Sequence, residues 1–78
     1  MNIGMLIRDL RDAKGLSRKN LADAQECDIS YWGLENIETG VSDPKISTIL
    51  RLLNYLDAGL VLRLRDQPGA ESYVVTLD

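Results

Sequence analysis

A chain of 78 residues makes one domain with a thin core, and a few packed helices plus self-association are the economical route to its stability. It has no His and a single Cys, Cys27, which excludes Cys/His metal sites, Ser-His-Asp triads and Cys-His nucleophile pairs, so no enzyme and no cofactor is expected. The formal net charge of −3 argues against indiscriminate nucleic-acid binding, although a local basic rim can still serve a specific site.

Ile3, Leu6, Ile7 and Leu10 recur on one helical face among Arg8, Asp9, Arg11, Asp12 and Lys14, so residues 2–14 read as an amphipathic first helix stopped by Gly15. Ser17 caps a second helix that starts at Arg18 and runs to Gln25 or Cys27. Its inward residues are Leu21, Ala22 and either Ala24 or Gln25. The polar turn after it lacks Gly, which leaves Asp28 to adopt a left-handed conformation at modest cost. Cys27 reads as a small turn-packing residue rather than a reactive thiol. Ser30 caps a third helix that Gly40 ends, with Leu34 and Ile37 as its buried stripe and Trp32 either joining them or facing out. Its other face offers Tyr31, Glu35, Asn36 and Thr39 to an external partner. Gly33 either lets a partner approach the backbone or marks a weak helix.

Residues 41–45 form a loop around Asp43-Pro44. The strongest helical stripe follows, Ile46, Ile49, Leu50, Leu53 and Leu56, in a fourth helix running to Asp57. Leu52 and Tyr55 lie off that stripe, as a second contact surface or as plain exposed residues. From Leu60 the period becomes two: Leu60, Leu62 and Leu64 alternate with Val61, Arg63 and Arg65. Gln67-Pro68-Gly69-Ala70 is a turn signal, and residues 72–77 make a second strand with Tyr73, Val75 and Leu77 on one side. An isolated hairpin is marginal in water, so these strands either pair with a second subunit or fold back on their own helices.

Gly15-Leu16-Ser17-Arg18 and Leu21-Ala22, then Ile37-Glu38-Thr39-Gly40, then Pro44 and Ser47-Thr48-Ile49-Leu50, resemble the Cro and lambda-repressor (XRE) family of helix-turn-helix proteins over residues 3–58. The run from Ile46 to Leu53, followed by Leu60-Val61-Leu62-Arg63, is similar to short HipB-type antitoxins with a strand after the last helix. The resemblance implies a mainly α fold, a four-helix lambda-repressor-like domain over residues 1–58. A C-terminal β-hairpin or strands pairing in a dimer would occupy residues 59–78. It implies a dimeric, sequence-specific regulator of double-stranded DNA and a repressor of its own operon, and it leaves open a toxin protein as a second partner. A buried ion pair maps onto Arg11 and Glu38. Two extra residues between Leu21-Ala22 and Ile37-Glu38 imply a longer second helix or a wider turn.

In such proteins the second helix of the motif enters the major groove while the preceding helix abuts the phosphates. Arg18 and Lys19 behind the Ser17 cap, with Ser30, Thr39, Ser42 and Lys45, are the expected backbone contacts. Tyr31, Trp32 and Asn36 are the expected base readers, since Asn can bond adenine bidentately and aromatic edges can touch a thymine methyl. Leu52, Tyr55, Leu60, Leu62, Leu64, Tyr73 and Val75 are the expected dimer contacts. Glu26, Asp28, Glu35, Glu38 and Asp43 make the segment acidic, so a protein-binding module that meets a basic partner is the alternative function. The lone Cys and the absence of a secretory or membrane-length apolar run point to a cytoplasmic protein with no membrane partner.

Overall fold

The structure is a computed structural model that describes residues 2–63 and 72–75. In chain order it contains α1 (Ile3–Ala13), α2 (Arg18–Asp23), a 3₁₀ turn (Gln25–Cys27), α3 (Tyr31–Glu38), α4 (Ile46–Tyr55), β1 (Leu60–Arg63) and β2 (Ser72–Val75). The first three helices begin where short polar side chains accept from otherwise unpaired backbone N–H groups, whereas α4 begins after Lys45 with no side-chain cap. Asn2 Oδ1 accepts from Met5 N at 2.8 Å, Ser17 Oγ from Asn20 N at 3.0 Å and Ser30 Oγ from Gly33 N at 3.0 Å. At Ser17 the cap is reciprocal, since its own N–H donates to Asn20 Oδ1. Gly40, at φ +80°, ends α3 in the left-handed region as expected.

The segment between α2 and α3 resolves the question of the two extra residues. The second helix is shorter than expected, ending at Asp23, and the turn is wider because it contains the 3₁₀ turn. Asp28, at φ +49°, supplies the left-handed residue that closes it. Cys27 is fully buried there.

The core lies where the helices converge, with Ile7, Leu21, Cys27, Leu34, Ile37, Leu52 and Leu56 in one buried cluster. Ile29, just before the α3 cap, packs on that cluster and sets the angle at which the chain enters the helix. The expectation for α4 is corrected. Leu52 is completely buried in the core, not a surface residue beside the stripe, and Ile46 is 56 % exposed. Leu50 and Leu53 are buried outside the main cluster, so α4 covers apolar surface over a wider arc than one stripe.

β1 and β2 pair antiparallel within the chain, with Leu60 opposite Val75 and Leu62 opposite Tyr73. Expectations for the side chains of Leu62 and Tyr73, for Leu64 and Leu77, and for the turn at residues 67–70 lie outside the described residues. Val61 is 54 % exposed, while Leu60 and Val75 are half-buried. No helix of the described residues is long and apolar enough to cross a membrane.

Candidate nucleic-acid interface

The turn presents α3 with one face locked inward and the other outward. Leu34, Ile37 and Glu38 are buried, whereas Tyr31, Trp32, Asn36 and Thr39 are exposed. Trp32, Asn36 and Thr39 follow the i, i+4, i+7 spacing of one outer face. Trp32 is 70 % exposed, which removes it from the buried stripe. Its ring meets that of Tyr31 edge to face, with centroids 5.7 Å apart.

A network of charges holds this helix to its neighbours. Arg11 donates through Nε and Nη2 to Glu38 Oε2 and Oε1, both at 2.9 Å, and through Nη1 to the Leu16 carbonyl at 2.9 Å. The Glu38 side chain is wholly inaccessible, so the planar guanidinium satisfies a carboxylate that water cannot reach. Hydrogen bonding to Glu38 outweighs the cost of desolvation and holds the Arg11 guanidinium above its ordinary pKa.

Arg18 joins the same carboxylate from the other side. Its Nη2 and Nε donate to Glu38 Oε1 at 3.3 and 3.4 Å, its Nη1 lies 3.6 Å from Glu35 Oε1, and its guanidinium carbon stands 6.0 Å from the Tyr31 ring centroid. Burial lowers its pKa, but Tyr31 and Glu38 more than offset that and leave it raised. In this structure the Arg18 side chain thus lies against α3 and does not project beside Lys19. The guanidinium turns onto α3 because two carboxylates, Glu35 and Glu38, converge there. Lys19 does project, but its Nζ meets Asp23 Oδ2 at 2.6 Å across a single turn of α2. That exposed pair is worth little and exchanges readily.

The remaining expected contacts divide by hydrogen-bond chemistry. Ser30 Oγ accepts from the Gly33 N–H and keeps its own proton to donate. Thr39 Oγ1 donates to the Glu35 carbonyl at 2.8 Å, so in this conformation it has no proton for a phosphate oxygen. Ser42 and Lys45 are exposed in the connection from α3 to α4, where Lys45 precedes the first residue of α4. Gly33 does not open the helix to a partner: a Cβ there would face Ser30 Oγ at 3.1 Å and Ile29 Cγ1 at 3.2 Å. The roles of Arg18 and Glu35 in a shared ion network escaped the sequence reading. The only available signal was the i, i+4 relation of Tyr31 and Glu35, which puts both on the side of α3 next to α2.

A family model described as a helix-turn-helix domain matches residues 2–65. No curated protein matches the chain. The match takes in α1, the α2–turn–α3 unit, α4 and β1, so it covers the helices that build the core and the exposed face of α3. The chain belongs to the helix-turn-helix domain family, of the XRE/Cro type, a family of DNA-binding domains.

Proposed function

We propose that this protein is a sequence-specific, double-stranded DNA-binding transcriptional regulator that acts as a homodimer and represses its own operon. Residues 1–58 are its DNA-binding domain, and residues 59–78 are a β extension that joins the protomers. The observation that carries the reading is the outer face of α3. There Trp32 and Asn36 stand exposed one turn apart on a helix whose inner face is locked by Arg11 and Glu38. A fixed helix with adaptable outer side chains is what reading base edges requires.

In this reading Asn36 bonds adenine, Tyr31 and Trp32 touch thymine methyls or sugars, and Arg18, Lys19, Ser30, Ser42 and Lys45 hold phosphates. Two copies address an inverted repeat whose half-sites lie about one helical turn apart. The sequence likeness of the Ile46-to-Leu53 run and of Leu60-Val61-Leu62-Arg63 to HipB-type antitoxins leaves room for a toxin protein as a second partner. Selection from a random-sequence duplex library should recover an inverted repeat, with affinity falling steeply as salt rises. A pool with no preferred sequence would overturn the reading.

One observation favours a protein-binding module instead. Glu26, Asp28 and Asp43 are exposed around the motif, while Arg18 and Lys19 are occupied by carboxylates of this chain. Such a surface suits a basic protein partner. The same selection separates the two, because a module of this kind enriches no duplex.

A further inference from the structure

The geometry points to Glu35 as an internal competitor for phosphate: its carboxylate occupies the outer side of the Arg18 guanidinium, and a docking duplex takes its place. This inference rests on the DNA-binding reading and accounts for an acidic side chain on a helix that meets a polyanion. Arg11, Glu38, Arg18 and Glu35 form a chain of alternating charge running from core to surface. Its inner end is closed, since the Glu38 side chain has no exposure and receives bonds from both arginines. Its outer end is open. The Glu35 side chain is 33 % exposed and its contact with Arg18, 3.6 Å, is an ion pair longer than a hydrogen bond.

A partly exposed ion pair of that length is weak, whereas a guanidinium–phosphate bond is short and charge-assisted. Arg18 therefore keeps Glu38 and exchanges Glu35 for a phosphate. Until it does, Glu35 cancels the cation and repels the backbone. Only a duplex whose bases also satisfy α3 recovers that loss, so Glu35 favours specificity at the expense of affinity.

The test measures binding of a labelled random-sequence duplex by fluorescence anisotropy over a salt series. It compares the full chain with Glu35→Gln, Arg18→Gln and the double variant. Glu35→Gln should bind more tightly at low salt, and the plot of log affinity against log salt should steepen by about 0.9, the slope of one added phosphate contact. Its advantage should then shrink about threefold for a fourfold rise in salt. The gain should vanish in the Arg18→Gln background. A gain that survives without Arg18 would show that Glu35 repels phosphate directly, and equal slopes for wild type and Glu35→Gln would end the idea while leaving DNA binding intact. Failure of every variant to bind duplex at low salt would instead remove the DNA-binding reading and this inference with it. Should Arg18→Gln not fold, Glu35→Asp decides. It keeps the charge but withdraws it from Arg18, so tighter binding supports exchange and wild-type binding overturns it.

Discussion

A Cβ on Gly4 would overlap the carbonyl oxygen of Ile37, so α1 and the last turn of α3 meet backbone to backbone. Gly4 is buried at that contact, one turn before Ile7 of the core. Because backbone cannot retreat as a flexible side chain can, the position admits no larger residue. Gly4→Ala should destabilise the protein by about 1–3 kcal/mol. The sign is diagnostic, because helix propensity alone would make Ala better by about 1 kcal/mol. Urea unfolding should show a lower midpoint at unchanged slope, and an equal or higher midpoint would show that the helices are not in contact there.

Arg11→Met should be more costly. It strips the buried Glu38 carboxylate of two bonds and leaves it only the longer contacts from Arg18. Losing one partner of a buried pair costs about 3–5 kcal/mol, comparable to the whole stability of a small domain. The double variant Arg11→Met/Glu38→Leu should be more stable than Arg11→Met, since it removes the stranded charge as well. Thermal unfolding followed by circular dichroism orders the three proteins. If the double variant is the least stable, the cost arises from packing and not from charge.

Cys27 couples stability to alkaline pH. Burial, reinforced by Glu26, raises the pKa of its thiol, so the folded state holds its proton after the unfolded chain has lost it. The stabilisation is complete below the unfolded pKa of about 8.5 and is lost as pH rises toward the folded value. The urea midpoint should therefore fall as pH rises above about 8.5 in the wild type and much less in Cys27→Ala. Iodoacetamide should label the folded protein slowly, because the sulfur is fully buried, and rapidly in denaturant. Fast labelling of the native state would contradict this placement.

Asn36 on α3 and Lys45 at the start of α4 should separate by the kind of contact they make. Asn36→Ala should relax preference at one base position, at a cost of about 1–3 kcal/mol for the preferred sequence. Lys45→Ala should weaken all duplexes alike and reduce the salt slope by about one. Binding curves on the selected site and on single-base variants of it provide the comparison. Identical behaviour of the two variants would mean that the base reader is misassigned.

If the strands join two protomers as proposed, truncation after Gly59 should lower the apparent mass in sedimentation equilibrium. Tyr55, 36 % exposed on α4, and Val61 remain on the outside to take part in that contact, whereas Leu52 does not. A truncated chain that sediments like the full one would place the interface on the helices.

Much of this architecture is written locally. Asn, Ser and Gly residues mark the ends of the helices because caps are satisfied within a few residues, and Asp28 stands out as the left-handed residue since nothing else in its turn suits that conformation. The Arg11–Glu38 pair came from family resemblance, not from spacing. Its partners lie 27 positions apart and periodicity relates only neighbours.

Tertiary structure decided what local pattern leaves open. With Ile46, Ile49, Leu50, Leu52, Leu53 and Leu56 on one helix, several stripes fit, and only the position of the other helices selects Leu52 for the core and exposes Ile46. Gly4 is a spacing residue because α3 crosses beside it, and Arg18 turns from solvent to α3 because Glu35 and Glu38 are brought within reach. Each of these outcomes depends on where a distant backbone lies. Caps and periods are settled within a turn or two of chain, while burial and charge pairing are settled by whichever groups packing brings together.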